Sequence, residues 1–303
     1  MPLQPSRTVE ELRELRELTG DENGAQRVAW TGMWAEAREW LRGKLTGVQV
    51  EEEIDEAGNQ WFRLPGASEG ALLIGGHIDS VPNGGWLDGC LNLLAGVEVL
   101  PRIAEEGAPP LTVRLVNWAD EEGARFGRTL FGSSAAAGSM RDQDELRQLV
   151  DRDGIALPDA LAEHGVDLDR ATDARRQLEN AAAYLELHIE QGPVLESMNL
   201  PLGLAGEREP LVPGLVDRFL DRNALEPAAQ PLARLGPGVG PGDALGAVLV
   251  AGQLPELAQL LDGAGRIERH ATTLTPPPLG PSPPGEPCAI CHPSQQRFQE
   301  EGQ

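Results

Sequence analysis

Proline divides this chain into two unlike parts: 16 of its 25 prolines fall in the last 103 residues, six of them within Pro276–Pro284. Each proline removes a backbone donor and locks φ, which works against long helices and central strands. From Leu204 onward no convincing strand alternation remains, and Ala247–Leu261 is the one stretch whose spacing predicts a helix. The expectation is a folded part over residues 1–203 and a Pro/Gly-rich tail over 204–303 that is disordered or loosely structured.

The first part reads as α/β. Val9–Leu18 and Ala25–Leu45 carry apolar residues at helical spacing. Val48–Ile54 and Gln60–Leu64 predict paired strands around the turn Glu56-Ala57-Gly58-Asn59. Ala71–Gly75, Leu111–Trp118 and Tyr184–Ile189 are short apolar runs that suit buried strands, and Leu91–Glu106 predicts a helix between the first two. Strand, helix, strand in this order points to a mixed, mainly parallel sheet covered by helices, in which ligands gather at the carboxyl ends of strands.

Composition narrows the function. A formal net charge of −23 argues against a nucleic-acid partner and against an anionic membrane surface, because both need a basic face. No apolar run approaches the ~20 residues of a membrane helix. The N-terminal MPLQPSRTVEELREL has no apolar stretch after a basic start, which predicts no secretory leader. With three cysteines and no obvious pairing, the chain suits a reducing cytoplasm.

Three segments carry chemistry, and each follows an expected strand. In Gly75-Gly76-His77-Ile78-Asp79-Ser80-Val81-Pro82-Asn83-Gly84-Gly85-Trp86-Leu87-Asp88-Gly89, extended backbone points His77 and Asp79 the same way. A carboxylate so placed can accept the second N–H of the imidazole and fix its tautomer for metal ligation. Asp88 follows a glycine-rich turn from which it can swing back toward His77. In Asn117-Trp118-Ala119-Asp120-Glu121-Glu122-Gly123, consecutive acids raise one another's pKa, which suits a general base beside a metal-bound carboxylate. In Tyr184-Leu185-Glu186-Leu187-His188-Ile189-Glu190-Gln191-Gly192, His188 alternates with Glu186 and Glu190 on one strand face. Taken singly, the first segment reads equally as a glycine loop, while the second reads rather as a solvated acidic loop and the third as a core histidine. Together, nitrogen and oxygen donors from three strand ends describe a zinc-like site.

The succession GGHIDSVPNGGWLDG, DEEGARFG and YLELHIEQGPVLE, with LFGSSAAAG between the last two, resembles the zinc-dependent amidase, hydantoinase and carbamoylase branch of the dinuclear aminopeptidase-like hydrolases. The resemblance covers roughly residues 20–203. It implies part of a three-layer domain with helices on both faces of the sheet. It makes His77 and His188 ligands of one metal, Asp88 the bridging carboxylate, Glu122 a ligand of the second metal and Glu121 the general base. Asp79 becomes the orienter of His77, and Gln191 lies near the substrate. Two zinc ions per complete site are implied, with manganese suiting the oxygen-rich second position. Hydrolysis of a linear amide or ureido C–N bond follows, in a small molecule such as allantoate, an N-carbamoyl amino acid or 3-ureidopropionate.

The family's lid, which also makes its homodimer, is not recognisable after Gly192, nor is the histidine that completes the second metal site. His270 is the tail's one candidate for it, in a context that departs from the family at Arg266. Asn92 and Ser134 stand where glycine and arginine are usual. The alternative is therefore a truncated, catalytically inactive metal-binding remnant. Cys288-Ala289-Ile290-Cys291-His292 matches a haem-attachment pattern. It lies in the proline-rich tail without a leader or a second CxxC, so an electron-carrier reading rests on that motif alone.

Overall fold

A computed structural model describes residues 2–140, 142–190, 202–207 and 245–251. Helix α1 (Pro5–Thr19) leads into two-residue strands β1 (Gly20–Asp21) and β2 (Gly24–Ala25), and α2 spans Gly32–Lys44. Strands β3 (Glu51–Ile54), β4 (Gln60–Leu64) and β5 (Ala71–His77) precede helix α3 (Cys90–Glu105) and strand β6 (Thr112–Trp118). Helices α4 (Phe131–Ala137), α5 (Gln143–Leu146) and α6 (Leu157–Glu163) and a 3-10 helix (Leu168–Leu178) lead to β7 (Ala181–Ile189). Strands β8 (Leu202–Glu207) and β9 (Leu245–Ala251) follow.

Seven strands form one mixed sheet in the order β3-β4-β6-β5-β7-β9-β8. The central pairings, β6 with β5, β5 with β7 and β7 with β9, are parallel, whereas those toward both edges are antiparallel. Helix α3 packs on the face that bears Leu115: a Cβ on its Gly96 would come within 2.6 Å of that side chain. The 3-10 helix covers the opposite face, where Arg114 lies over the Trp61 ring and its guanidinium donates to Gln177. Helices thus flank both faces of an α/β sheet, as the sequence predicts. In α1, the buried Thr8, Leu12, Leu15 and Thr19 recur at helical spacing and form the face turned to the core.

Two expectations change. The helix expected over Ala25–Leu45 begins at Gly32, where the Thr31 hydroxyl accepts from the Trp34 amide at 3.4 Å. Upstream, the Arg27 amide donates to Ser80 Oγ and its carbonyl accepts from the Ser80 amide, while Trp30 takes a left-handed backbone at φ 61°. These tertiary bonds and the reversed φ stop a helix that apolar spacing alone would start earlier. In the expected helix Ala247–Leu261, the described part is strand β9, and residues 252–261 lie outside the described residues. Periodicity does not separate a short continuous apolar run in a buried strand from one in a helix. Apart from β9 and 204–207, which continues β8, the expected tail lies outside the described residues.

Strands β5 and β7 part company near the site. Their register ends at Ile74 opposite Leu185, and the Leu187 amide donates instead to Asn92 Oδ1 at 3.0 Å. A crevice therefore opens at the carboxyl ends, floored by Asn92 from α3. Gly76 is required there, since a Cβ would come within 2.7 Å of the Gly89 carbonyl.

Candidate metal centre

Alternation along the parallel neighbours β5 and β7 puts His77, Glu186 and His188 on one face of the sheet at its carboxyl end. His77 Nε2 lies 4.0 Å and His188 Nε2 3.3 Å from the same oxygen, Asp88 Oδ1. Asp88 reaches it from the turn that starts α3. Gly89, at φ 66°, makes that approach feasible, because a Cβ would collide with the His77 ring and carbonyl.

The other nitrogen of each imidazole faces an acceptor. His77 Nδ1 is 3.1 Å from the Asp79 carbonyl and 3.4 Å from Asp79 Oδ1. His188 Nδ1 is 2.6 Å from the Ile189 carbonyl. Nδ1 therefore donates in both rings and Nε2 is left to bind a cation. Asp79 does more than orient His77: its Oδ1 accepts from the Glu121 amide at 3.3 Å and its Oδ2 from the Glu122 amide at 3.0 Å. One buried carboxylate thus joins the first two sequence segments.

The acidic loop is shaped by backbone strain. Asp120 sits at φ 55° and Leu130 at φ 62°. Asp120 Oδ2 accepts from the Trp30 indole at 2.8 Å, and its carbonyl accepts from the Phe131 amide. Asn59, fully buried, accepts from the Ala119 amide and donates to Asp55 and to the Gly132 carbonyl, tying the β3–β4 turn to this loop. Ser133 Oγ donates to the carboxylate of Glu121.

Burial pushes Glu121 up to about 8; nearby Asp79 and Glu186 add to the rise, while His77 and the Ser133 hydroxyl oppose it. Burial also raises Glu122, with Asp88 and Asp79 adding and the two histidines opposing. Glu186, raised by burial, accepts from Tyr184 Oη at 2.6 Å. On His77 burial disfavours the charge, yet the hydrogen bond to Asp79 and the charges of Asp79, Asp88 and Glu122 outweigh it and hold its pKa well above the usual value. The centre thus draws a positive charge to His77 Nε2.

The donor set suits a metal ion. Two donors on one tetrahedral zinc stand about 3.3 Å apart, given bonds of ~2.0–2.1 Å. The His188–Asp88 separation of 3.3 Å matches that spacing, and the His77–Asp88 separation of 4.0 Å is wider. Among the described residues, no three His, Cys, Asp or Glu already stand as a closed ligand group. Gln191, His270 and the Cys288–His292 motif lie outside the described residues. Sequence reasoning missed Arg27, Ser133 and the tie through Asn59; Ser133 lies in the LFGSSAAAG segment and Asn59 in an expected turn, but nothing local marks their contacts. Among the described residues, no helix is long and apolar enough to cross a membrane.

Residues 73–284 match the peptidase family M20/M25/M40, and this match runs past residue 204. An N-carbamoyl-L-amino acid amidohydrolase of Geobacillus stearothermophilus is 37% identical over 206 residues, which cover 67% of this chain and 50% of that protein. An allantoate amidohydrolase of Bacillus subtilis (strain 168) is 34% identical, over 63% of this chain and 47% of its own length. A solved amidase of the hydantoinase/carbamoylase family from Burkholderia phymatum superposes with a TM-score of 0.56 at 34% identity, covering 69% of this chain and 51% of that one. The chain spans about half the length of the curated relatives it matches. With a family match over most of its length and the α/β sheet of the solved amidases, the chain belongs to peptidase family M20/M25/M40.

Proposed function

We propose that this chain carries the metal-binding half of a hydrolase that cleaves linear amide or ureido C–N bonds in small molecules. The observation that carries the reading is the convergence of His77 Nε2 and His188 Nε2 on Asp88 Oδ1, with both Nδ1 atoms held by acceptors. His77, Asp88 and His188 would hold one ion, zinc by preference; Asp88 and Glu122 would hold a second, zinc or manganese. When bound, such ions supply Lewis acidity to a substrate carbonyl and acidity to a water.

The protein's own groups do the rest. Glu121, its pKa raised by burial and its carboxylate held by Ser133, accepts the proton of the attacking water and returns it to the leaving nitrogen. Asp79 keeps the His77 ring in its ligating tautomer. Gln191 is assigned to the substrate side by the resemblance alone. Allantoate and N-carbamoyl-L-amino acids, the substrates in the names of the two relatives, are the substrate class to try first. The class is a small molecule, with neither nucleic acid nor membrane as a partner, acted on in the cytoplasm. Residues 204–303 are taken as a proline-rich tail apart from 204–207 and β9, which join the sheet.

The test is ammonia release from these substrates by the chain loaded with zinc or manganese. Metal-dependent release supports the hydrolase. A chain that binds metal through His77 and His188 yet releases nothing is a metal-binding remnant instead.

A further inference from the structure

Arg27 lies fully buried in a segment to which no role has been given. Its guanidinium makes three hydrogen bonds, all to uncharged groups: Nε to the Ile78 carbonyl at 2.6 Å, Nη1 to Thr19 Oγ1 at 3.2 Å and Nη2 to Cys90 Sγ at 3.2 Å. Burying a guanidinium without a carboxylate in contact is costly, and arginine does not escape by losing its proton. The position of those three partners explains why the residue is there. Ile78 lies between His77 and Asp79, and Cys90 lies two residues after Asp88. Thr19 closes α1, and its hydroxyl is itself anchored to the Leu15 carbonyl at 2.6 Å.

A single rigid fork therefore spans the residue that follows β5 and its histidine, and the first residue of α3, two positions after the carboxylate facing that histidine. The backbone of Arg27 grips the same loop from its other side through Ser80. The Cys90 thiol it holds also sits in the field of His77, Asp79 and Asp88.

We propose that Arg27 is a positioning residue of the metal centre, which sets the separation of His77 and Asp88 by bridging Ile78 and Cys90. This rests on the reading of His77, Asp88 and His188 as ligands. A planar fork with donors at fixed angles does this; a flexible ammonium of the same charge does not. Substitutions beyond the ligand shell of metal sites cost about 10- to 100-fold in affinity.

The test measures zinc affinity of the full chain by competition with a chromophoric chelator, for wild type, Arg27→Lys, Arg27→Met, Arg114→Met and His188→Ala. Each is compared at temperatures where near-ultraviolet circular dichroism shows it folded. Arg114→Met is the control for losing an arginine that pins the same sheet away from the centre. Arg27→Lys and Arg27→Met should both bind zinc at least about tenfold more weakly, while Arg114→Met binds as wild type. Unchanged affinity in Arg27→Lys, or tighter binding in Arg27→Met, overturns the proposal, the latter by showing that the charge only repels the ion. Should Arg27→Met not fold, Arg27→Lys and Cys90→Val, which removes one tine's partner, decide the matter by the same criterion. If His188→Ala also binds as wild type, the ligand reading itself fails, an outcome separate from failure of the Arg27 proposal alone.

Discussion

The hydroxyl of Ser133 lies 2.8 Å from one carboxylate oxygen of Glu121 and 3.0 Å from the other. A hydroxyl has one proton to give, so it serves the two oxygens alternately and fixes the plane of the carboxylate rather than one oxygen. The pair meets because Leu130, the residue that caps α4, bonds its amide to the Glu121 carbonyl. For the hydrolysis proposed, Ser133→Ala in the metal-loaded chain should lower kcat about tenfold, or ~1.4 kcal/mol of barrier, with KM little changed. Ser133→Thr should recover part of it. Steady-state kinetics decide, and an unaltered kcat in Ser133→Ala would remove the serine from the base's support.

Glu121→Gln should abolish hydrolysis while leaving metal content as it was. The amide keeps the size and hydrogen bonding of the side chain but accepts no proton. Wild-type turnover in this variant would show that the proton goes elsewhere.

Metal analysis after dialysis should give nearer one ion per chain than two. On the proposed reading, His77, Asp88 and His188 would supply three protein donors to one ion, enough for a catalytic zinc, whereas the second would have only Asp88 and Glu122. Two tightly held ions would mean that a further ligand comes from residues outside those described.

Asn59→Ala should destabilise the fold by about 3 kcal/mol. The change strips a buried donor from Asp55 and from the Gly132 carbonyl, and the acceptor from the Ala119 amide. Denaturant titration followed by tryptophan fluorescence measures it; a midpoint within error of wild type would contradict the tie.

His164 packs edge-on against Trp34 at 5.3 Å and near Trp30 at 6.0 Å, and burial lowers its pKa below the usual value. The unfolded chain therefore takes up this proton before the folded one does. The stability that the neutral ring contributes is present above pH ~6.5 and is lost as pH falls through the depressed folded value. His164→Gln should flatten the acid side of the stability–pH curve. An unchanged slope between pH 6.5 and 5 would assign it to other groups.

What the sequence makes legible here is what is local. The turn Glu56–Asn59 between two strands, the run Ala71–Gly75 before a helix, and the acids after Trp118 are all where spacing and turn chemistry place them. His77 and His188 share a face because alternation along parallel strands is a strict geometric rule, and Asp79 and Asp88 follow β5 closely enough in the chain for its loop and turn to bring them back. Arg27 and Ser133 escape such rules. Arg27 meets Ile78 and Cys90 across 51 and 63 positions of chain, and its own segment carries an apolar spacing that mimics a helix start. Strand β9 is missed for a different reason: Gly246–Val250 is a continuous apolar run with no polar alternation to reveal a strand's period.

The parting of β5 and β7 beyond Ile74 and Leu185 has a dynamic consequence. The ladder that locks the interior stops short of the histidines, and the next amide on β7 to face the gap, that of Leu187, depends on one side chain, Asn92. The crevice can therefore breathe while the body of the sheet stays shut. In amide hydrogen exchange, Leu187 should open through a local event of low cost, and Leu185 only with the whole sheet. Removing Asn92 would widen that difference, loosening the mouth of the centre and leaving its foundation as firm as before.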